Sequence, residues 1–304
     1  MPALSVATPI RLVVFDVDGT LTSSRHEVAD ATRAAVDRIR AAGIRVVLAT
    51  GRRYRDTLPV AERLAIDTPL VTASGALVKR PGDHATLVRA TFPPELVAGV
   101  AERIVAAGHE PILYGDSFAA GYDFHCRRLP GPGGPDEPPP AGVWEYLTRN
   151  ASLASVRPDL DRAPPDDVFA GFAMGGQAEM HALHDTLAAA FPDKLAMHVI
   201  RSPRYLHWMC EFAPAGVTKW WGVGQLATRW QLPPEAICAV GDDVNDLPMI
   251  RGAGLGVAMG NACDAVRAVA DTVVGHHDSS GIADVADLVL SRVAQPAPLA
   301  RDGG

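Results

Sequence analysis

Ile10-Arg11-Leu12-Val13-Val14-Phe15-Asp16-Val17-Asp18-Gly19-Thr20-Leu21 is the stretch that decides the fold. A short apolar run closed by a glycine turn is typical of a buried strand that ends abruptly. Asp16 and Asp18 then lie at its carboxyl end, the edge at which open α/β sheets bind ligands. The pair has two interpretations at this point. The acids are turn residues, since Asp and Gly favour turns, or they share a cleft with a hard cation such as Mg²⁺.

Length and composition favour a two-domain protein without a membrane segment. The chain has 304 residues, 48% of them apolar, which exceeds the usual size of one domain. Its net charge of -7 argues against general affinity for nucleic acid. No run approaches the length of a membrane span, so we expect no membrane partner. The four cysteines form no Cys-x-x-Cys pair and no leader pattern precedes them, which predicts a reducing, cytoplasmic setting.

Strand and helix patterns alternate at both ends of the chain. The first part carries strand patterns at 10–16, 44–49 and 70–73, and helix patterns at 28–42 and 53–65. The last part carries a helix at 217–229, strands at 236–240 and 254–258, and a helix that ends at about 270. This alternation predicts a parallel sheet.

The middle of the chain is less regular. It carries helix patterns at 94–107 and 177–190, strand-like segments at 111–114, 168–173 and 197–200, and a loop rich in proline and glycine at 129–140. We therefore predict an α/β protein in which one parallel-sheet domain, residues 1–81 and 204–304, is interrupted by an inserted domain, residues 82–203.

Polar groups follow other predicted strands and begin one helix. Thr50-Gly51 offers a hydroxyl and a backbone N–H, and alone it is an ordinary turn. Lys219 lies near a helix start, where the dipole does not favour a cation, and its ordinary interpretation is a solvated lysine. Asp242 directly follows an apolar strand and precedes Asn245 and Asp246. Acids at the ends of two strands of one sheet are hard to explain structurally, because unpartnered buried like charges are costly.

One mechanism uses all of these groups. A carboxylate attacks phosphorus and forms an aspartyl-phosphate. Mg²⁺ between two strand-end acids screens the repulsion between nucleophile and phosphate, and a lysine and a threonine bind the transferring oxygens. A second acid protonates the leaving alkoxide and then takes a proton from the hydrolytic water.

Four ordered segments resemble the motifs of the haloacid dehalogenase superfamily. They are Asp16-Val17-Asp18-Gly19-Thr20-Leu21, Ala49-Thr50-Gly51-Arg52, Gly216-Val217-Thr218-Lys219 and Gly241-Asp242-Asp243-Val244-Asn245-Asp246. More narrowly, the chain resembles the Cof-type phosphatases, which insert a large α/β cap between the second and third motifs. The resemblance implies a Rossmann-like parallel-sheet core with an inserted α/β cap.

The resemblance also implies roles for the acids. Asp16 would be the nucleophile and Asp18 the general acid and base. Mg²⁺ would bind the Asp16 carboxylate, the Asp18 backbone carbonyl and Asp242.

Further roles follow from the same resemblance. Thr50, the Gly51 backbone and Lys219 would bind the phosphoryl group. Asn245 would touch the phosphate or the nucleophile, and Asp246 would order the metal ligands or Lys219. The family often has Asn-Gly-Ala after its third strand, whereas this chain has Ser74-Gly75-Ala76. The departure leaves the core chemistry intact and concerns only substrate contacts near that loop.

The function that these residues predict is a magnesium-dependent phosphatase of a small phosphorylated metabolite, such as a sugar or polyol phosphate. A phosphomutase is the nearest alternative, because it shares the Asp-x-Asp chemistry. A phospho-acceptor module of the receiver type also has Asp, Thr and Lys. Receivers are about one small domain and lack an acid at the position of Asp18, so the insertion and Asp18 both count against that alternative.

Overall fold

The computed structural model describes residues 8–131, 141–202 and 204–292. Its strands are, in chain order, β1 (Leu12–Phe15), β2 (Arg45–Leu48), β3 (Leu70–Thr72), β4 (Leu77–Lys79), β5 (Thr86–Arg89), β6 (Ile112–Gly115), β7 (Phe124–Cys126), β8 (Ala154–Val156), β9 (Val168–Gly175), β10 (Leu195–Arg201), β11 (Trp208–Pro214), β12 (Ile237–Gly241), β13 (Leu255–Ala258) and β14 (Thr272–Val273). Its helices are α1 (Asp30–Ala41), α2 (Tyr54–Arg63), α3 (Pro94–Ala106), α4 (Ala141–Arg149), α5 (Gln177–Ala190), α6 (Lys219–Arg229), α7 (Leu247–Gly252), α8 (Asp264–Arg267) and α9 (Gly281–Leu290).

The opening strand lies inside a parallel sheet of order β14-β13-β12-β1-β2. Leu12 of β1 is in register with Ile237 of β12 on one side and with Arg45 of β2 on the other. A parallel bridge between Ala49 and Val71 continues the sheet to β3, and an antiparallel ribbon β3-β4-β5 follows. The carboxyl ends of β1, β2 and β12 therefore share one edge.

Both faces of this sheet are buried, which explains the uninterrupted apolar run in β1. Val13 and Phe15 pack in one cluster with residues of α1, α2 and α9. Leu12 and Val14 pack in another with residues of α6, α7 and α8. Parallel strands covered by helices on both faces show continuous apolar runs instead of alternation.

The inserted part forms a second sheet of order β10-β11-β9-β6-β7-β8, which we call the cap sheet. Helices α3 and α5 pack on one of its faces through Val100, Leu183 and Leu187. On the other face, residues of α4 such as Tyr146 join the same cluster as core residues such as Tyr54.

Polar contacts tie the cap to the core beside that edge. The guanidinium of Arg53, which precedes α2, donates to Asn150 Oδ1 at 2.6 Å. Lys79 Nζ of β4 donates to Asp116 Oδ1 at 2.7 Å. These contacts hold the cap over the carboxyl ends of the parallel strands.

The α/β class and the parallel-sheet core predicted from the sequence are confirmed. The predicted helix at 177–190 has those bounds in the structure. Helix α4 and the C-terminal helix α9 were not predicted. Most of the loop predicted at 129–140, from 132 to 140, and the tail from 294 lie outside the described residues.

Sheet membership refines the predicted domain boundaries. β5, on the cap side of the predicted boundary at 82, pairs with β4 of the core. β11, on the core side of the boundary at 204, pairs with β9 and β10 of the cap sheet. We propose that the chain passes between core and cap in the segments 90–93 and 215–218.

Within the described ranges, no helix combines the length and the apolar character that a membrane-crossing segment needs. The four cysteines are free thiols, and the reducing, cytoplasmic setting stays a prediction.

Candidate active site

Asp16 and Asp242 meet because their strands are neighbours. β1 and β12 pair in register up to Phe15 and Val240, so the residues that follow them leave the sheet at the same edge. The turn after Asp16 needs a glycine, since Gly19 has a φ of +78° and a Cβ there would lie 2.2 Å from Asp242 Oδ2. Gly19 thus lets the first loop close onto the acid of the fourth motif.

Lys219 is a buried cation at the first residue of α6, not a solvated surface lysine. Only 1% of the residue is exposed. Its ammonium donates to Asp16 Oδ1 at 2.6 Å, to Asp246 Oδ1 at 2.6 Å and to Asn245 Oδ1 at 3.2 Å. Burial lowers the pKa of Lys219, but the charges of Asp16 and Asp246 outweigh this and raise it above its ordinary value. The lysine therefore stays charged at neutral pH.

The loop after β12 fixes the remaining acids. Asp246 Oδ2 accepts the backbone N–H groups of Asp242 at 2.9 Å and of Asp243 at 3.1 Å, while its other oxygen accepts from Lys219. Asp242 Oδ1 accepts from the Thr20 hydroxyl at 3.0 Å. Asp246 thus orients both the lysine and the backbone of the acid that faces Asp16.

The acids form a cluster suited to a divalent cation. One carboxylate oxygen from each of Asp16, Asp242 and Asp246 lies within 4.8 Å of the others. Burial raises the pKa of Asp16 to about 7, although the Lys219 charge opposes the shift. Burial, together with the charges of Asp16 and Asp246, raises the pKa of Asp242 to about 9. Partly buried carboxylates that destabilise one another are the oxygen donors that a hard cation neutralises.

Thr50 and Gly51 lie at the end of β2, beside this cluster. The buried Thr50 hydroxyl accepts the Arg52 N–H at 3.1 Å. The Gly51 N–H donates to no group in the part of the chain that the structure describes. A Cβ built on Gly51 would lie 3.9 Å from Asn245 Nδ2, so the turn and the amide face one space. An exposed N–H beside an amide can bind oxygens of an anion.

Asp18 is held by an arginine from the second motif. Arg52 Nε and Nη2 donate to the two carboxylate oxygens at 2.7 and 2.6 Å. Burial favours the neutral acid, but the hydrogen bonds and charge of Arg52 outweigh it and hold the pKa of Asp18 below its ordinary value. In this arrangement Asp18 is ionised and engaged by Arg52.

The Ser74-Gly75-Ala76 turn supports both the lysine and the cap. Gly75 has a φ of +102°, and a Cβ there would lie 1.9 Å from the Thr218 carbonyl oxygen, directly before Lys219. Ser74 Oγ donates to Glu211 Oε2 of the cap strand β11 at 3.0 Å. Ser74, the residue at which the sequence departs from the usual family pattern, therefore joins the core to the cap.

A cavity of about 230 Å³ opens between this cluster and the cap. Its core side includes Asp16, Asp18 and Asn245, and its cap side includes Tyr146 and Glu211. The structure thus brings together all the residues that the sequence predicts to bind the metal or the phosphoryl group. They line the cavity or contact a residue that does: Asp16, Asp18, Thr50, Gly51, Lys219, Asp242, Asn245 and Asp246. Their roles stay predictions.

Sequence reasoning missed several residues of the site. Arg52 was quoted within the second motif without a role. Asn261, whose amide donates to the Gly19 carbonyl at 2.8 Å and to Asp242 Oδ2 at 3.3 Å, follows the end of β13. The rule that ligands bind at the carboxyl ends of parallel strands could have found it. Glu211 and Tyr146 had no comparable signal, because they lie in the apolar patterns of the cap.

One protein family matches most of the chain. The model of a family described as haloacid dehalogenase-like hydrolase matches residues 13–285.

Curated relatives and solved structures match over nearly their whole length. The chain is 24% identical over 273 residues to the 5-amino-6-(5-phospho-D-ribitylamino)uracil phosphatase YitU of Bacillus subtilis, covering 90% of this chain and 94% of that protein. It is 27% identical over 292 residues to the pyridoxal phosphate phosphatase YbhA of Escherichia coli, covering 90% and 96%. A haloacid dehalogenase-like hydrolase from Bacteroides thetaiotaomicron has the same fold, with a TM-score of 0.73, 24% identity and coverage of 92% and 99%.

Proposed function

Because the chain belongs to the haloacid dehalogenase-like hydrolases, we propose that it is a magnesium-dependent phosphatase that hydrolyses a small phosphorylated metabolite through an aspartyl-phosphate on Asp16. The substrate class we propose is a sugar phosphate or a related polyol phosphate. The names of the curated relatives support a small phosphorylated metabolite, since one is named for a ribityl phosphate and another for pyridoxal phosphate.

The observation that carries this proposal is the unequal use of the two Asp16 oxygens. Oδ1 accepts from the Lys219 ammonium at 2.6 Å, whereas Oδ2 accepts from no group among the described residues. The residue lines the cavity together with Gly51 and Asn245. A fixed carboxylate with one free oxygen, next to free hydrogen-bond donors, has the arrangement that a nucleophile for phosphorus requires.

The reaction that we propose has two steps. In the first, Asp16 Oδ2 attacks phosphorus, the bond from phosphorus to the ester oxygen breaks, and Asp18 protonates the leaving alkoxide. In the second, Asp18 takes a proton from water, the water oxygen attacks phosphorus, and inorganic phosphate leaves Asp16. The Gly51 N–H, the Thr50 hydroxyl, the Asn245 amide and Lys219 would bind the phosphoryl oxygens, on which negative charge develops.

The donor set fits Mg²⁺. Carboxylate and carbonyl oxygens are the ligands of hard cations, and burial together with neighbouring acids raises the pKa values of Asp16 and Asp242, so a bound cation would stabilise their ionised forms. We propose that Asp16, Asp242 and the Asp18 carbonyl hold the ion, while Asp246 orders Lys219 and the loop. Bound Mg²⁺ would supply the charge that screens the repulsion between Asp16 and the phosphate.

Arg52 sets a condition on the first step. A general acid must carry a proton, whereas the contact with Arg52 keeps Asp18 ionised. Arg52 lines the cavity, so a bound phosphate competes with Asp18 for the same guanidinium. We propose that substrate binding draws Arg52 away from Asp18 and so frees the acid for catalysis.

A panel of phosphomonoesters tests the proposal. Purified protein with Mg²⁺ is incubated with hexose, pentose, polyol, pyridoxal and nucleoside phosphates, and inorganic phosphate is measured. Release from at least one of them that exceeds release by a matched Asp16→Asn preparation supports a phosphatase. Formation of an isomeric hexose phosphate without phosphate release would identify a phosphomutase instead.

A further inference from the structure

Glu211 of the cap strand β11 places its carboxylate close to the Thr50-Gly51 turn, which we propose binds the phosphoryl group. A Cβ built on Gly51 would lie 3.6 Å from Glu211 Oε1, closer than the 3.9 Å that separates it from Asn245 Nδ2. The Glu211 side chain is 13% exposed and lines the cavity. A carboxylate beside a phosphate is unfavourable unless the bound molecule offers it a hydrogen-bond donor.

Among the described residues, only one of the two Glu211 oxygens has a donor. Oε2 accepts from Ser74 Oγ at 3.0 Å, and His198 Nε2 lies 3.4 Å from the same oxygen. Oε1 accepts from no group in the described ranges. The Ser74 hydrogen bond therefore fixes the side chain, while its free oxygen faces the phosphate-binding turn. This oxygen is open to the cavity, so a molecule bound there can donate a hydrogen bond to it.

The Tyr146 hydroxyl is a second unpartnered polar group on the same wall. The residue is 4% exposed, and its hydroxyl has no hydrogen-bond partner in the part of the chain that the structure describes. Its ring is fixed by edge contacts with Phe172 and Tyr205. Tyr146 lines the cavity beside Glu211, but its hydroxyl is buried, so Glu211 is the residue that offers a free group to a bound molecule.

We propose that Glu211 is a specificity-determining residue that accepts a hydrogen bond from a hydroxyl of the leaving group close to the ester. The inference rests on the proposed function and names the residue that would select the substrate. Glu211 favours polyol and sugar phosphates over alkyl phosphates, which offer no donor. Its charge disfavours leaving groups that carry a carboxylate or a second phosphate near the ester.

Three substrates with the same carbon chain test the inference: glycerol phosphate, propyl phosphate and phosphoglycerate. We expect the wild-type protein to prefer glycerol phosphate to propyl phosphate in kcat/KM by about tenfold or more, because a site built for a hydroxyl rejects the analogue that lacks it. Glu211→Leu should reduce that preference about tenfold by lowering the rate with glycerol phosphate alone. Glu211→Gln retains an acceptor without the charge, so it should restore the preference and raise kcat/KM for phosphoglycerate about tenfold.

The control is Glu102→Gln, which removes a cap carboxylate from the exposed face of α3 and should leave all three values unchanged. Far-ultraviolet circular dichroism establishes that each variant is folded, and Glu211→Gln keeps the test decisive if Glu211→Leu does not fold. An equal loss on all three substrates would show a purely structural role and overturn the inference. A wild-type protein that cleaves propyl and glycerol phosphate equally would overturn it while leaving the proposed phosphatase intact. Failure on every phosphomonoester would overturn the proposed function itself.

Discussion

The two walls of the cavity differ in how their polar groups are paired. On the core wall, Lys219 donates to three oxygens and Asp246 uses both of its oxygens within the protein. On the cap wall, one Glu211 oxygen and the Tyr146 hydroxyl have no partner among the described residues. The charged groups of the core wall therefore hold one another in place before any ligand binds and leave Asp16 Oδ2 and the Gly51 N–H without a partner among the described residues, whereas on the cap wall the charged group itself, Glu211, keeps an oxygen free.

This difference assigns separate tasks to the two domains. The core handles a phosphoryl group, which is the same in every substrate, so its dipoles and charges can be fixed in advance. The cap meets the leaving group, which differs between substrates, so its free donors and acceptors decide which molecule binds well. Changes to the core wall should therefore affect turnover and stability, and changes to the cap wall should affect discrimination between substrates.

Removal of Mg²⁺ should have the largest effect. Without the cation, the raised pKa values of Asp16 and Asp242 favour their protonated forms, and an ionised Asp16 repels the phosphate with no charge to screen it. We therefore expect chelation to lower turnover by at least ~10³-fold. Phosphate release is measured before and after chelation and after Mg²⁺ is restored. Turnover that survives chelation would refute the metal site.

Asp16 and Asp242 should make the stability of the metal-free protein depend on pH. Their folded pKa values, about 7 and about 9, lie above the ordinary value of 3.8. The folded state thus binds more protons than the unfolded state, and stability is lost as pH rises from about 4 through about 9. Mg²⁺ should remove much of this loss, so its effect on Tm should be larger at pH 8 than at pH 6.

Asp18→Asn should have the next largest effect. The amide cannot transfer a proton, so we expect kcat to fall by about 10²–10⁴-fold. The loss should be smaller for an ester with an acidic leaving group, such as p-nitrophenyl phosphate, because that group needs less protonation. A uniform loss on both kinds of ester would argue against the proton-transfer role.

Lys219→Met should chiefly lower stability in the metal-free protein. It leaves Asp16 and Asp246 buried without their cation, which costs about 3–5 kcal/mol when one partner of a buried ion pair is removed. Urea unfolding at neutral pH measures the change. Lys194→Met, at an exposed position of the cap, is the matched control and should change stability by less than about 0.5 kcal/mol.

Tyr146→Phe should have the smallest effect on stability. The hydroxyl makes no hydrogen bond among the described residues, so its removal should change the free energy of unfolding by less than about 1 kcal/mol. KM for the preferred polyol phosphate should not change, because the hydroxyl is buried away from the cavity. A large loss of stability would show that the cap wall is as internally paired as the core wall.

The sequence predicted the core wall well because its residues directly follow strands or begin a helix. Asp16 and Asp242 come after apolar runs, and strand adjacency alone brings them together. The sequence placed Lys219 near the start of a helix. Its burial was not predicted, because Gly75 packs against Thr218, directly before Lys219, and no local sequence pattern reveals that contact.

The cap wall could not be predicted in the same way. Glu211 lies within Trp208–Pro214, an otherwise apolar strand that pairs with the preceding strand β10 on one side and with β9 on the other. Its contact with Ser74 joins residues 137 positions apart. Such a contact depends on cap-sheet pairing and on how the cap sits on the core, and both arise from long-range packing.

The most direct test of the central claim is to trap the phosphorylated residue. The wild-type protein turning over its best substrate with Mg²⁺ is quenched, reduced with borohydride, which converts an aspartyl-phosphate to homoserine, and mapped by mass spectrometry. We predict homoserine at position 16 in the wild-type protein, and neither homoserine nor turnover in Asp16→Asn. Undiminished turnover by Asp16→Asn, or homoserine at another aspartate, would contradict the assignment of Asp16 as the nucleophile.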